Sequence, residues 1–202
     1  MTEHYTHLPK TVSDKIAKKI TMILRWIADT FFMKQYGHRA VVLETIAAVP
    51  GMVGGMWIHL KSLRQMKTGY GPKIRMLLAE AENERMHLMT FIEIVRPNWF
   101  ERILVLVAQG IFWHVYLVVF IFFPRTAHRI VGYFEEEAVI SYTDYLEQVD
   151  ANPELNVAAP KLAIDYWRLP ADARLRDVII AVRHDEMEHS RVNHAYADEK
   201  DH

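Results

Sequence analysis

Asn83-Glu84-Arg85-Met86-His87-Leu88 and Asp185-Glu186-Met187-Glu188-His189 each contain Glu-x-x-His. On a helix, residues i and i+3 share a face, so each stretch offers one carboxylate and one imidazole to a common point. One copy on its own is weak, because surface helices carry such pairs as solvated polar residues. The arrangement around the two copies is stronger. Leu43-Glu44-Thr45 precedes the first, and Glu135-Glu136-Glu137-Ala138 precedes the second. The order is Glu44, Glu84/His87, Glu135, Glu186/His189, with one candidate ligand group on each of four helices. That pattern predicts a carboxylate-bridged two-metal site inside a four-helix bundle. The charges agree: four carboxylates and two neutral imidazoles balance two divalent cations. Carboxylate-rich ligation with two imidazoles suits iron or manganese better than zinc or copper.

Successive helical positions differ by about 100°, so Glu135, Glu136 and Glu137 cannot all face one centre. Composition does not decide among them. Glu135 is the choice made here, because His128, Glu135 and Tyr142 are spaced by seven and share a face. Tyr142 reads equally well as a core phenol. Asp185 can orient a ligand histidine by accepting its N–H, or can sit in a surface ion pair, and Asn83 beside Glu84 carries the same ambiguity.

The remaining chain fits a single domain over 1–202, with residues 1–11 expected to be loose. A helix is expected from Ser13, capped by Ser13 or Asp14. It is amphipathic and basic, with Lys15, Lys18, Lys19 and Arg25, which suits either a membrane surface or an ordinary packed helix. Residues 39–67 read as a second helix, interrupted by Pro50 with Gly51, Gly54 and Gly55 following. A third runs from Pro72 to about Val95, and Asn98-x-x-Glu101 opens a fourth as a capping box. Its run ILVLVAQGIFWHVYLVVFIFF (103–123) is long enough to span a bilayer. A crossing there would separate Glu84/His87 from Glu135 by the membrane, so the run is read as a helix lying in one leaflet. A fifth helix follows from about Ala127 to Val149, then a short helix near 163–167. A last helix, capped by Asp172, carries its ligands on its apolar stripe.

Net charge is -1, which gives no support for nucleic-acid binding. Cysteine is absent, which excludes disulfides and thiolate clusters. The opening MTEHYTHLPK has no apolar leader and no Arg/Ser-rich transit pattern.

At these residues the chain resembles the alternative oxidases. The matching words are LET (43–45), NERMHL (83–88), EEEA (135–138), DE-x-x-H (185–189) and VNH (192–194). The longer words RA-x-x-LE-x-x-AA-x-PGM-x-GGM (39–56), AHRIVGY (127–133) and AIDYWRLP (163–170) extend the match. The resemblance implies an all-α fold: a ferritin-like di-iron four-helix bundle with two additional long membrane-associated helices, held monotopically in one leaflet. It implies a cyanide-insensitive ubiquinol oxidase that reduces O2 to water at two Fe ions without pumping protons.

By motif match, the iron ligands would be Glu44, Glu84, His87, Glu135, Glu186 and His189. Tyr142 would be the redox-active tyrosine, and Arg39, Leu43 and Ser141 would line the quinol pocket. Asn83, His128, Asp185 and Trp167 are expected around the ligands. The resemblance also implies a homodimer, with the second helix (His59, Arg64) and the third (Arg85) at the contact. Departures are His184 before Asp185, Met187-Glu188 between the ligands, and the lack of regulatory cysteines. The expected location is the cytoplasmic face of a bacterial inner membrane, with the matrix face of a mitochondrial inner membrane as the alternative. A metal-storage protein without quinol oxidase activity is the competing class.

Overall fold

The computed structural model describes residues 6–32 and 35–199. They form seven α-helices: α1 (Val12–Phe32), α2 (Tyr36–Gln65), α3 (Gly71–Val95), α4 (Trp99–Phe122), α5 (Pro124–Ala151), α6 (Lys161–Trp167) and α7 (Leu175–Asp198). Among the described residues there is no strand, only an isolated bridge between Ala158 and Arg174 in the loop before α7.

Local chemistry sets the helix ends. Thr11, not Ser13 or Asp14, caps α1: its hydroxyl accepts from Asp14 N–H at 3.2 Å, and the Asp14 carboxylate accepts back from Thr11 N–H at 2.8 Å. This is a reciprocal capping box. The expected box at Asn98 and Glu101 opens α4, with Asn98 N–H donating to Glu101 at 2.7 Å and Glu101 N–H to Asn98 at 3.0 Å. Pro124 starts α5 in its first turn, where a missing N–H costs nothing. The cap of α7 is Arg174 and not Asp172, because the Asp177 carboxylate reaches back to Arg174 N–H at 2.9 Å.

Of the segment expected to be loose, residues 1–5 lie outside the described residues. His7 is held by its backbone N–H, which donates to Glu136 at 2.6 Å.

α2 packs along α3 and α5 along α7, while contact across these pairs is slight. The first pair approaches closely because of Gly51. A Cβ there would lie 2.4 Å from the Leu77 carbonyl oxygen, so only glycine fits. The second pair closes at Gly132, whose missing side chain leaves room for the His194 ring. Two apolar clusters fill the bundle. One centres on Phe91, Tyr142, Val178 and Val182, the other on Val49, Val53, Leu77 and Phe120.

α1 lies on α5, and α4 lies across α2 and α5. Both α2 and α4 are long and apolar enough to cross a membrane, but they differ in surroundings. The most apolar window of α2 is 67% buried in the bundle, that of α4 only 11%. Ile103, Leu106, Ile111, Val115, Val118 and Phe122 of α4 are exposed, as are Ile16, Ile23 and Trp26 of α1.

Candidate metal centre

Helical periodicity turns the predicted residues inward between the two apolar clusters. Glu44 comes from α2, Glu84 and His87 from α3, Glu135 from α5, Glu186 and His189 from α7. Glu44, Glu84, His87 and Glu186 are all buried and present ligand atoms within 4.8 Å of one another. His87 Nδ1 lies 3.3 Å from Glu44, 3.4 Å from Glu84 and 3.3 Å from Glu186. The other two candidates flank this group. His189 Nδ1 stands 2.7 Å from Glu84 Oε1, and the buried Glu135 lines the same cavity as Glu44 and Glu186.

The acidic triplet separates as its angular spacing requires. Glu135 turns to the centre, Glu136 accepts from His7 and meets His194 Nε2 at 3.1 Å, and Glu137 pairs with Arg25.

The residues around the ligands form a defined network. Asp185 faces His87 Nε2 at 3.3 Å. The same carboxylate oxygen accepts from Trp167 Nε1 at 2.8 Å and from Asn83 Nδ2 at 3.0 Å. An Nε2–H donated to Asp185 leaves the Nδ1 lone pair of His87 aimed at the three carboxylates, the tautomer a metal needs. Trp167 stacks on His87 with ring centroids 5.8 Å apart. The Tyr142 hydroxyl donates to Glu44, and Phe91 stacks on its ring. His128 is buried but reaches the centre indirectly. Its Nδ1 contacts Asn193 Oδ1 at 3.0 Å, and Asn193 Nδ2 donates to Glu80 at 2.9 and 3.1 Å.

The electrostatics of the site are unbalanced without cations. Burial, then Glu84 and Glu186, raise Glu44 well above the usual carboxylate range. Burial and the same neighbouring charges raise Glu135. Burial also works against ionising Glu84, but His87 and His189 outweigh it and hold it well below that range. His87 is raised despite burial, through Glu84, Asp185, Glu186 and Glu44. His189, opposed by burial but close beside the Glu84 carboxylate, rises to about 9.

Both Glu84 oxygens, Glu186 Oε2 and His189 Nδ1 have no hydrogen-bond partner of proper geometry, although His189 and Glu84 nearly touch. Buried polar atoms that converge without bonding one another are costly unless something else satisfies them. Hard divalent cations fit this donor set.

A cavity of about 320 Å3 opens from the centre toward α1 and α4. Glu44, Glu135 and Glu186 bound its inner end, and Arg39, Leu43 and Ser141, expected together from the resemblance, line it. Its remaining wall is largely apolar, including Ile27, Leu104 and Phe112. Two buried polar atoms on its lining residues, Arg39 Nε and Thr21 Oγ1, also lack hydrogen-bond partners.

Several residues of the site escaped the sequence reading. Glu80 is buried one helical turn before Glu84, and burial raises it to about 7. Its i−4 spacing from Glu84 was the available signal. Thr21 lines the cavity as well, beside the paired Arg25 and Glu137, and nothing in its local sequence marks it.

A family model described as Alternative oxidase matches residues 1–198. The chain is 55% identical over 198 residues to Ubiquinol oxidase 2, mitochondrial, of Glycine max, covering 98% of this chain and 59% of that protein. It is 56% identical over 192 residues to Ubiquinol oxidase, mitochondrial, of Mangifera indica, covering 95% and 60%. Alternative oxidase 3, mitochondrial, of Glycine max is 52% identical, with 98% and 60% covered. The chain thus spans about six-tenths of the length of these curated relatives. They are plant proteins named as mitochondrial, so the expectation of a bacterial member finds no support in them. The inward-facing carboxylates and imidazoles, carried on the motifs quoted above, accord with a match over residues 1–198, and the chain belongs to the alternative oxidase family.

Proposed function

We propose that the chain is a ubiquinol oxidase: two quinols and one O2 become two quinones and two waters. The carrying observation is the cavity that ends on Glu44, Glu135 and Glu186 and is walled by α1 and α4. A metal-storage bundle has no use for a largely apolar chamber against its carboxylates.

Glu44, Glu84, His87, Glu135, Glu186 and His189 would hold two Fe ions. Binding and four-electron reduction of O2 is the chemistry those ions supply. The chain's own residues do the rest. Arg39 is buried and paired with Asp29, and its unpartnered Nε is a charge-assisted donor for a quinol oxygen. Leu43 and Ser141 flank the ring. The apolar wall admits a hydrophobic quinol and keeps bulk water from the centre. Tyr142 holds a proton against Glu44, which suits it to deliver a proton and an electron together. Asp185, Asn83 and Trp167 fix the His87 tautomer.

The exposed apolar faces of α1 and α4 would lie in one leaflet, and quinol would enter from that leaflet. The relatives' names favour a mitochondrial inner membrane over a bacterial one. A homodimer would form through α2 and α3, where Met52, Met56 and Leu63 leave an exposed stripe.

The test is O2 consumption by iron-loaded protein in lipid with a short-chain ubiquinol. The expected result is turnover that persists in cyanide and is lost in Arg39→Ala at subsaturating quinol. No quinol-dependent uptake by protein carrying two irons per chain overturns the reading.

A further inference from the structure

The chamber that ends on the ligand carboxylates is apolar over most of its wall, and several of its polar groups are already paired. Arg25 bonds Asp29 and Glu137, and Glu44 accepts from Tyr142. Apart from the ligand Glu186, two lining residues keep a buried polar atom without a hydrogen-bond partner: Arg39 at Nε and Thr21 at Oγ1. They stand on different helices, Arg39 on α2 and Thr21 on α1.

Thr21 is the less expected of the two. A threonine inside a helix can turn its hydroxyl back to the carbonyl one turn earlier. Thr30, Thr45 and Thr143 do so, to Trp26, Val41 and Val139, each at 2.8 Å. Thr21 does not. Nor does it reach the outer face: Ile20 and Met22 beside it are 37% and 46% exposed, Thr21 only 1%. Its hydroxyl is buried and unpaired on a residue that walls the chamber. Thr90 shares the deficit, but it does not line the chamber. A buried hydroxyl in that state is costly unless an occupant satisfies it.

The positions of the two atoms suit one kind of occupant. Arg39 is tied to Asp29 through its guanidinium. Asp29 lies two helical turns beyond Thr21 on α1, roughly 12 Å along the axis. One polar atom therefore stands toward each end of the α1 wall, with Leu24, Ile27 and Ala28 between them. A quinol ring has the same pattern, two hydroxyl oxygens at opposite ends and apolar faces between. Arg39 Nε only donates, whereas the Thr21 hydroxyl accepts from a phenolic O–H or donates to a quinone oxygen.

We propose that Thr21 is a quinol-binding residue, holding the ring hydroxyl opposite the one that meets Arg39, so that the head group is clamped from both ends of the chamber. The clamp rests on the ubiquinol oxidase reading. It gives α1 a part in recognising the substrate, besides closing the chamber. Because the Thr21 hydroxyl serves the reduced and the oxidised ring alike, its loss raises KM and leaves kcat nearly unchanged.

The test uses iron-loaded full-length protein in lipid, with Thr21→Val, which keeps the branched shape, and Thr21→Ser, which keeps the hydroxyl. KM and kcat are measured with a short-chain ubiquinol and with tetramethylhydroquinone, which lacks methoxy groups. Binding of the short-chain ubiquinone is measured by calorimetry, and Tm without quinone by circular dichroism. Thr21→Val raises both KM values and the quinone Kd about 5- to 10-fold, the loss of one neutral hydrogen bond. Thr21→Ser restores them. Tm in Thr21→Val stays level or rises, because an unsatisfied hydroxyl has been removed.

Unchanged KM and Kd in Thr21→Val overturn the clamp. A loss confined to the ubiquinol moves the bond to a methoxy oxygen and also overturns it. A fall in kcat with loss of iron, not restored by Thr21→Ser, makes Thr21 structural and overturns it as well. Wild type that binds and oxidises quinol no differently from Thr21→Val sinks the clamp alone. Wild type that neither binds the quinone nor oxidises either quinol sinks the ubiquinol oxidase reading beneath it.

Discussion

Two buried charged clusters occupy the same bundle and are built on opposite plans. In one, Arg129 donates to Asp14 at 2.9 Å, bonds Asp198, and meets His194 Nδ1 at 2.8 Å, while His194 Nε2 meets Glu136 at 3.1 Å. His7 closes it by stacking on His194, with centroids 4.6 Å apart. No buried side-chain atom of Asp14, Arg129 or Glu136 lacks a partner. In the other, four carboxylates face two imidazoles, and atoms of Glu84, Glu186 and His189 are unsatisfied. The first cluster carries its own cation and is complete as protein. In the second, the carboxylates meet only histidines, and no arginine or lysine pairs with them among the described residues. A buried charge network is therefore not in itself a site; an excess of converging donors of one sign is.

The sharpest way to break this comparison is to remove one ligand. Glu84→Ala should abolish stoichiometric binding of two irons and with it quinol-dependent O2 uptake, while leaving the helical content by circular dichroism intact. Retention of both irons would show that the orphaned atoms mean nothing.

The mirror experiment is Arg129→Met. Stranding the buried Asp14 should cost about 3–5 kcal/mol of unfolding free energy in urea melts, with iron per folded chain unchanged. If iron is lost as well, the clusters are one unit and the contrast fails.

Asp185→Asn tests the layer between. It keeps the shape but removes the charge that fixes His87, and iron affinity should fall about 10- to 100-fold by competition with a chelator.

The smallest effect is the pH dependence of the metal-free protein. His189 is raised to about 9 from 6.5, so its contribution to stability is present below 6.5 and lost as pH rises through about 9. His87, Glu44 and Glu135 are also raised and act with the same sign, whereas the depressed Glu84 contributes no slope in this window. The melting temperature of metal-free protein should therefore fall between pH 6.5 and 9. Iron, which displaces these protons, should flatten the slope. A metal-free protein with no slope would mean that the imidazoles are not held by the carboxylates.

The comparison also explains what was readable in advance. Glu44, Glu84, His87, Glu135, Glu186 and His189 follow helix periodicity, and their inward face could be counted from spacing. The angle per residue shows that the three neighbouring glutamates cannot all face the centre, and the spacing of seven from His128 and Tyr142 singles out Glu135. The capping box at Asn98 was legible for the same reason, because its partners are three residues apart.

Arg129, His194 and His7 were not legible as a cluster. Their contacts join α5, α7 and the segment before α1, and no local pattern encodes that meeting. Glu80 is hidden in another way: it lies on the Glu84 face, but the charge balance closes without it. Thr11 displaced the expected cap of α1 because Asp14 has two tasks, returning a bond to Thr11 and anchoring Arg129.

The pairing of helices has a consequence for how the protein is made. Gly51 fastens α2 to α3, and Gly132 fastens α5 to α7. Each hairpin-like half carries one lone glutamate and one Glu-x-x-His, so neither half alone owns a full ligand set. The donors complete one another only at the seam. Metal capture would then be a late event in biogenesis, a clasp that closes only after the halves have met.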